Sequence, residues 1–419
     1  MTPFQLSIQF FLQLAFILTV CRIVGWIAGK LGQPQVVGEM IAGVVMGPSI
    51  FGALAPHAQS LMFPEASKPI LFSFCQVGLV LYMFLIGTEF NFSLITSRIR
   101  SAASVSISGI CVPFLFGAVA AYFLIGSGTL FSEQATKLEA MLFLGAAMSI
   151  TAFPMLARII YERGLTGTSL GTLALAAGSI DDAAAWCVLA VVLASFAGKA
   201  SIAFLAIGGG LAYVLFVFIV ARPLLKIPGR MVEKRGELSS ALLSFTLCVL
   251  MLCAWFTDFI HIYAVFGAFL IGMAIPRGKY ADELKRLLEP ITTCFMLPLF
   301  FVYSGLSTNL LLLFNMNLLG IGALLLFLAI LGKGGACYLA ARLNGETQRE
   351  SLAIGALMNS RGLMELIILN IGLERGIITP ALFTILVIMA IVTTLMATPL
   401  FEWIYGRKTA VIDRKTVGI

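Results

Sequence analysis

Long stretches of the sequence contain no Asp, Glu, Lys or Arg, and seven of them constrain the fold strongly. They cover residues 1–21, 69–88, 101–132, 200–221, 238–257, 290–332 and 376–401. Each run is at least 20 residues long, about the length that an apolar helix needs to cross a bilayer. The runs do not alternate apolar and polar residues as barrel strands would. The pattern therefore predicts a helical protein with several membrane spans.

The composition agrees with this prediction and excludes several other classes. Only 11% of the 419 residues are charged and 60% are hydrophobic, whereas about 25% of an ordinary soluble domain is charged. So few charges cannot supply the polar shell of a soluble globule, and a disordered, collagen-like, coiled-coil or nucleic-acid-binding protein is excluded as well. All eight cysteines lie in apolar segments, which favours packing roles over a disulfide framework. The N-terminus lacks a basic region, so it is interpreted as a retained first helix.

Thirteen apolar segments are predicted along the chain. Their approximate bounds are 7–29, 35–50, 69–88, 101–126, 138–161, 168–196, 201–221, 238–257, 261–275, 291–313, 316–341, 349–373 and 378–404. The predicted fold class is an all-α integral membrane protein with 13 transmembrane helices. An odd number of spans places the two termini on opposite sides of the membrane.

The distribution of lysine and arginine predicts the orientation of these spans. If the N-terminus is outside, 20 of the 27 cationic residues fall at inward loops and segment ends, and 4 fall at outward ones. The remaining three, Arg22, Lys333 and Arg361, lie inside segments. We therefore expect the C-terminus in the cytoplasm of a bacterial-type inner membrane. The net charge of +7 then belongs to loops that face anionic lipid, and it implies no nucleic-acid partner.

Two segments that lie seven apart carry similar irregular stretches. Segment 5 contains Ser149-Ile150-Thr151-Ala152-Phe153-Pro154 near its middle, and segment 12 contains Asn359-Ser360-Arg361-Gly362 near its middle. Because an odd offset reverses direction across the membrane, segments 1–6 and 8–13 are predicted to be inverted repeats with segment 7 as linker. Interrupted helices at matching positions of inverted halves indicate a transport site at the bilayer midplane. The alternative is that both breaks are simple packing kinks.

Three charged residues are predicted to lie deep in the membrane. Asp181 and Asp182 are at the centre of segment 6, and the stretch between Arg163 and Lys199 holds no cation. Carboxylates at that depth are costly, so a cation or a proton must be held there. Successive helical residues point about 100° apart, so one aspartate is expected to pair with a protein cation while the other faces a cavity. Lys333 in segment 11 is the candidate partner; the alternative is a purely structural ion pair.

Other charged residues are weaker candidates. Arg361 and Glu365 are four residues apart, share a helix face and are interpreted as a structural pair. Glu39 and Arg22 are expected to line an access funnel or a subunit contact. The two histidines, His57 and His261, are expected in outward loops or at segment ends and predict no metal site.

The charges of the site indicate what it can do. Asp181, Asp182 and Lys333 together leave a formal charge of −1, which one Na⁺, one K⁺ or one proton would neutralise. The broken helices would add backbone carbonyls and the Thr151 hydroxyl as neutral ligands. Competition at one site that opens alternately to each side is sufficient for cation/proton antiport. Whether Lys333 also releases its proton, and so whether exchange is electrogenic, stays open at this stage.

Several motifs together resemble the monovalent cation/proton antiporter superfamily, in the branch of Kef-type, CHX-type and NapA-type transporters. They are QPQVVGEMIAGVVMGPSIFG (33–52), SITAFPMLARII (149–160), GSIDDAAAW (178–186), LGKGGACYLAARL (331–343) and MNSRGLMELIILNIG (358–372). The resemblance implies an NhaA-like homodimer whose mobile core contains two crossed, unwound helices.

The resemblance also implies individual roles. Asp182 matches the essential cation- and proton-binding aspartate, and Asp181 matches the variable position before it. Lys333 matches the lysine that pairs with that preceding acid. Two further stretches match the broken-helix core: Ser149 with Thr151 in the first broken helix, and Asn359, Ser360 and Arg361 in the second.

The domain organisation expected from the resemblance has six parts. They are scaffold and dimerisation helices 1–3 (1–99), core helices 4–6 (100–196), linker helix 7 and a loop (197–236), scaffold and dimerisation helices 8–10 (237–315), core helices 11–13 (316–404) and a short cytoplasmic tail (405–419). No nucleotide-sensing or regulatory tail is expected.

The sequence thus predicts a Na⁺/H⁺ antiporter that is not an enzyme and needs no cofactor. Asp182 and Asp181 would hold the Na⁺ or K⁺. The first alternative is K⁺/H⁺ exchange of Kef or CHX type, because the amino-acid sequence of segment 12 resembles that of Kef-type and CHX-type proteins. The second alternative is a Na⁺-coupled symporter for an organic acid. The third is a passive channel, which the two adjacent aspartates beside a lysine disfavour.

Overall fold

The chain is described by a computed structural model that covers residues 2–33, 35–89, 99–162, 165, 168–195, 200–260 and 263–405. Within these ranges every regular element longer than an isolated bridge is helical. His261 and the expected tail after Tyr405 lie outside the described residues.

Twenty α-helices follow one another in the described ranges. They are α1 (Pro3–Lys30), α2 (Gln35–Met46), α3 (Phe51–Leu54), α4 (Pro56–Met62), α5 (Lys68–Glu89), α6 (Ile99–Leu124), α7 (Lys137–Ser149), α8 (Phe153–Glu162), α9 (Ser169–Ser195), α10 (Ala200–Phe216), α11 (Arg222–Arg235), α12 (Ser240–Phe259), α13 (Ala264–Ala274), α14 (Lys279–Ile291), α15 (Leu297–Leu306), α16 (Met316–Ala329), α17 (Ala336–Leu343), α18 (Gln348–Met358), α19 (Leu363–Glu374) and α20 (Pro380–Tyr405). Three π-helical turns join α10 to α11, α14 to α15 and α16 to α17 without interrupting the helical path: Val217–Ala221, Thr292–Met296 and Ile330–Gly335.

Nine helical stretches in the described residues are long and apolar enough to cross a membrane. The predicted segments 5 and 12 are not among them, because each is split into two helices. Segment 5 consists of α7 and α8, with 13 and 10 residues, and segment 12 consists of α18 and α19, with 11 and 12 residues. The helical fold class is therefore confirmed, whereas the count of 13 spans stays a prediction.

The first halves of both split segments begin with the same local motif. Thr136 and Thr347 are N-caps whose hydroxyls accept from the backbone N–H groups of Glu139 and Glu350, at 3.2 and 3.3 Å. Each glutamate in turn accepts from the backbone N–H of its threonine. Such reciprocal caps satisfy donors that a helix start leaves free, and each stabilises its helix by about 1 kcal/mol.

Two expected loops are helical instead. The sequence predicted that segment 7 ends near residue 221, but α11 continues to Arg235 and ends at Gly236, which has a φ of +84°. It also predicted that segment 10 begins near 291, but α14 begins at Lys279. The charges in both stretches suggested loops. Both are amphipathic helices whose apolar residues, spaced three or four apart, are buried on one face.

The chain divides into two compact units. The first comprises residues 1–90, 186–315 and 378–384, and the second comprises 91–185, 316–377 and 385–419. In the first unit, α2 packs on α15 so closely that a Cβ at Gly43 would lie 2.2 Å from the Phe301 carbonyl oxygen. In the second unit, α6 packs similarly closely on α7, since a Cβ at Gly117 would lie 2.5 Å from the Leu144 carbonyl oxygen. All of the predicted site residues belong to the second unit.

Candidate functional site

The first break separates α7 from α8 at residues 150–152. A helix leaves its last carbonyls without intrahelical partners, and here positive side chains bind them. Arg361 donates to the Ala147 oxygen at 2.9 Å and to the Met148 oxygen at 2.6 Å. Lys333 donates to the Ser149 oxygen. Two cations therefore stabilise the negative end of α7.

The second break separates α18 from α19 at residues 359–362, and it contacts the first through the main chain. The Ala152 N–H donates to the Ser360 carbonyl oxygen at 3.0 Å. The Ser360 hydroxyl donates to the Leu357 oxygen at 2.8 Å. The Thr394 hydroxyl on α20 makes two hydrogen bonds to the main chain of Arg361. It accepts from the Arg361 N–H at 3.1 Å and donates to the Arg361 carbonyl oxygen. The structure thus brings together the two stretches that the sequence singled out.

Asp181 has hydrogen-bond donors on both carboxylate oxygens. Ser106 donates to Oδ1 at 2.9 Å, and Lys333 donates to Oδ2 at 2.6 Å. The Thr151 hydroxyl also donates to Oδ2 and lies 3.4 Å from the Met358 carbonyl oxygen. With Asp181 and Lys333 each only 1% exposed, this is a buried, well-satisfied ion pair.

Asp182, the next residue, is in a different situation. It is also 1% exposed, but neither of its carboxylate oxygens has a hydrogen-bond partner among the described residues. Burying a carboxylate without a partner is expensive, and buried polar groups almost always have one. Asp182 is therefore a buried carboxylate to which the described residues donate no hydrogen bond.

Lys333 lies in the π-helical turn Ile330–Gly335, which the sequence did not reveal. Such turns occur mostly as single-turn bulges within α-helices, and they are frequent at functional sites. Gly334 and Gly355 allow α18 to approach this turn closely, since a Cβ at Gly355 would lie 2.6 Å from the Gly334 oxygen. On the other side, a Cβ at Gly109 would lie 2.6 Å from the Cys337 sulfur.

Arg361 and Glu365 are close, as expected, but their contact is longer than the hydrogen bonds that Arg361 donates to the carbonyls of α7. Arg361 Nη1 lies 3.4 Å from Glu365 Oε2, beyond an ordinary N–H···O hydrogen bond. The shorter bonds of Arg361 go to the two α7 carbonyls. Neither Glu365 oxygen, nor the Asn359 amide oxygen, has a hydrogen-bond partner among the described residues.

Two residues of the site were missed by the sequence analysis: Ser106 on α6 and Thr394 on α20. Both lie in charge-free apolar runs that contain other hydroxyl residues, and no local pattern distinguishes them. Of the weaker candidates, Glu39 is buried and accepts from Gln35 at 2.9 Å, whereas Arg22 is exposed. No cluster of His, Cys, Asp and Glu suited to a metal ion occurs in the described part of the chain.

Comparison with known proteins gives a consistent result. The family description "Sodium/hydrogen exchanger, transmembrane" matches residues 15–405. The chain is 40% identical to the Na(+)/H(+) antiporter NhaS4 of Synechocystis sp., over 93% of this chain and 95% of that protein. It is 33% identical to K(+)/H(+) antiporter 1 of Saccharomyces cerevisiae, over 94% of this chain but only 46% of that longer protein.

The fold is also similar to a solved structure. The sodium proton antiporter MjNhaP1 from Methanocaldococcus jannaschii matches with a TM-score of 0.66 and 17% identity, over 94% of this chain and 96% of that one. With the nine candidate spans, these findings establish an integral membrane protein. The chain belongs to the transmembrane sodium/hydrogen exchanger family.

Proposed function

We propose that this protein is a secondary-active Na⁺/H⁺ antiporter in which Na⁺ and a proton compete for Asp182. The observation that carries this proposal is the contrast within the aspartate pair. Asp181 is held by Ser106, Thr151 and Lys333, whereas Asp182 is buried without a described hydrogen-bond partner. A proton or a small cation would complete its environment, and carboxylate oxygens suit Na⁺ as a hard cation.

The charges around the site support a model in which one bound Na⁺ or one bound proton makes the site neutral. Lys333 offsets Asp181, and Arg361 lies beside Glu365, so each pair is formally neutral. Asp182 then contributes the remaining charge of −1. One Na⁺ or one proton cancels it, and a neutral site crosses an apolar barrier more easily than a charged one. Exchange follows if only the loaded site moves between the two sides.

The Thr151 hydroxyl and the carbonyls at the breaks are the neutral groups proposed to assist cation binding. Thr151 donates to Asp181, and its hydroxyl lies 3.4 Å from the Met358 carbonyl oxygen at the end of α18. Ser149, Asn359 and Ser360 lie at the same two breaks. The Asn359 amide oxygen, buried and without a described partner, is a further candidate ligand.

The finer architecture is part of the proposal. It comprises 13 transmembrane helices, two inverted repeats of six with crossed broken helices, a scaffold and a mobile core, and a homodimer. The N-terminus would lie outside and the C-terminus in the cytoplasm of a bacterial-type inner membrane. The matching caps and breaks of the α7–α8 and α18–α19 pairs support the repeats. The strongly uneven distribution of lysine and arginine supports the orientation.

Exchange of K⁺ for protons by the same groups is the second candidate. It is favoured by the 33% identity with K(+)/H(+) antiporter 1 of Saccharomyces cerevisiae. The two ions would use the same carboxylate, so the geometry of Asp182 supports either. The similarity to NhaS4 extends over nearly all of both proteins, and it places Na⁺ first.

The test is transport by the full chain in proteoliposomes with an imposed acid-inside pH gradient, followed with a pH-sensitive dye. Addition of Na⁺ should collapse the gradient. Addition of K⁺ should do so if the protein exchanges K⁺ for protons. Asp182→Asn should abolish the response, whereas Asp258→Asn, the same change at an exposed aspartate, should retain it. If neither ion moves protons in the native protein, antiport is excluded. Exchange by Asp182→Asn would remove this residue from its role.

A further inference from the structure

A basic cavity lies in the first unit and shares no residue with the aspartate site. It has a volume of about 100 Å³. It is lined by Lys226, Arg230 and Glu233 on α11, by Arg277 in the turn before α14 and by Tyr280 at the start of α14. Lys226 and Arg230 are four residues apart, and Glu233 follows three later, so all three share one helix face.

The walls of this cavity are held by close packing. A Cβ at Gly229 would lie 2.6 Å from Pro276 Cγ, so α11 and the turn before α14 approach each other directly. The Tyr280 hydroxyl is hydrogen-bonded to the Thr246 hydroxyl at 2.6 Å, and both side chains are buried. The cationic groups therefore surround a preformed recess rather than a flexible surface.

The charge of the recess favours an anion. Three cations, Lys226, Arg230 and Arg277, face one carboxylate, Glu233, which leaves a formal charge of +2. The volume of about 100 Å³ is several times the roughly 10–15 Å³ that one water needs, so a phosphate group can enter. Arginine and lysine are the side chains that proteins use to bind phosphate oxygens.

The helical stretch that carries the recess also has exposed apolar side chains. Ile219, Leu224, Ile227 and Met231 are exposed on it. They belong to the candidate span Gly208–Arg235, whose last residues carry the cations of the recess. One helical stretch thus offers both an anion-binding recess and an exposed apolar surface.

We propose that this recess binds the phosphate of an anionic phospholipid, whose acyl chains lie along the exposed apolar face of α11. A soluble anion would use the recess but not the apolar face. A zwitterionic lipid would use the face, but its own ammonium group would offset the attraction to the recess. The anionic phospholipid matches both features, and bound lipid would link α11 to α14 across the recess.

The test uses the detergent-purified full chain titrated with dioleoyl phosphatidylglycerol, dioleoyl phosphatidylcholine or inorganic phosphate. Bound lipid is counted by native mass spectrometry, and the melting temperature is recorded in parallel. The native protein should bind phosphatidylglycerol at least about tenfold more tightly than phosphatidylcholine, since each basic group near the headgroup contributes on the order of 1 kcal/mol.

Matched variants separate a specific site from diffuse attraction. Lys226→Gln/Arg230→Gln should lose the tenfold preference, whereas Lys234→Gln/Arg235→Gln, with the same loss of charge on the same helix outside the recess, should keep it. Glu233→Gln removes the repelling carboxylate and should strengthen binding, a gain that misfolding cannot produce.

Several results would overturn the proposal. Equal weakening in the two double variants would indicate diffuse attraction, and equal binding of the two lipids would exclude a headgroup site. If inorganic phosphate displaces phosphatidylglycerol and raises the melting temperature as much as phosphatidylglycerol does, the recess is a site for soluble anions instead. Weaker binding by Glu233→Gln would contradict the charge argument. None of these outcomes bears on antiport by Asp182.

Discussion

At the first helix break, three backbone carbonyls are bound by cationic side chains, whereas at the second break hydroxyl groups take the same role. Arg361 and Lys333 bind the end of α7. Ser360 and Thr394 bind carbonyls in and around the second break. The two stretches match in position along the chain, but their electrostatic surroundings differ, so similarity of sequence pattern does not imply equivalent chemistry.

This difference determines where the charges of the second unit gather. The two buried cations of the described residues, Lys333 and Arg361, donate to the end of α7, and each has a carboxylate beside it, Asp181 for Lys333 and Glu365 for Arg361. Asp182 has no hydrogen-bond partner among the described residues. The asymmetry of the breaks thus accompanies a difference between two adjacent aspartates, one paired and one without a described partner.

The largest effect is expected from Arg361→Gln. This change removes the cation from two α7 carbonyls and leaves Glu365 buried without its partner, and breaking such a buried pair costs roughly 3–5 kcal/mol. We expect a large drop in melting temperature and little folded protein, measured by size-exclusion fluorescence. Arg349→Gln, at an exposed arginine that also donates to carbonyls, serves as control and should lose far less. Equal losses would show that the cationic cap at the first break has no special importance.

The next effect is expected from Lys333→Met, which leaves Asp181 without its cation. The uncompensated carboxylate should destabilise the protein strongly. The double variant Lys333→Met/Asp181→Asn removes that carboxylate as well, and so should recover part of the lost melting temperature. A double-mutant cycle of these thermal shifts measures the coupling. If the double variant is no more stable than the single one, the unpaired charge of Asp181 is not the cause of the destabilisation.

A smaller effect is expected from Thr394→Val at the second break. The change leaves the Arg361 N–H and carbonyl without their shared partner, which should cost about 1–3 kcal/mol. Thr393→Val is the matched control, because Thr393 donates only to carbonyls of its own helix. The melting temperatures of the two variants are compared in the same detergent. Equal shifts would mean that the bond to Arg361 adds nothing beyond a local helix contact.

The smallest effect on stability is expected from Ser106→Ala. Asp181 keeps two other donors, so the loss should be about 1 kcal/mol. The more sensitive readout is the apparent KM for Na⁺ in proteoliposomes, which should change because Asp181 adjoins Asp182. Ser108→Ala, at a half-buried serine on the same helix, should leave it unchanged. An unaltered KM in Ser106→Ala would restrict Ser106 to a packing role.

Much of this site could be predicted because charges in apolar segments are rare. Asp181, Asp182, Lys333 and Arg361 stand out for that reason alone, and the Asp181–Lys333 contact was expected. Ser106 and Thr394 could not be found in the same way, because hydroxyl residues are common in apolar helices and satisfy themselves locally. The amphipathic helices α11 and α14 were mistaken for loops, since their charges masked the buried apolar spacing.

Sequence pattern alone was enough to assign the helical membrane class and to single out the few charged residues inside apolar segments, because the cost of placing charge in an apolar medium acts on each segment separately. The family resemblance came from the quoted motifs. The tertiary structure was needed to show that Ser106 and Thr151 also bind Asp181, that Asp182 has no described partner, and which carbonyls the cations bind. Those outcomes depend on which side chains meet across helices that are distant in the chain. Packing selects these contacts, and local sequence does not encode them.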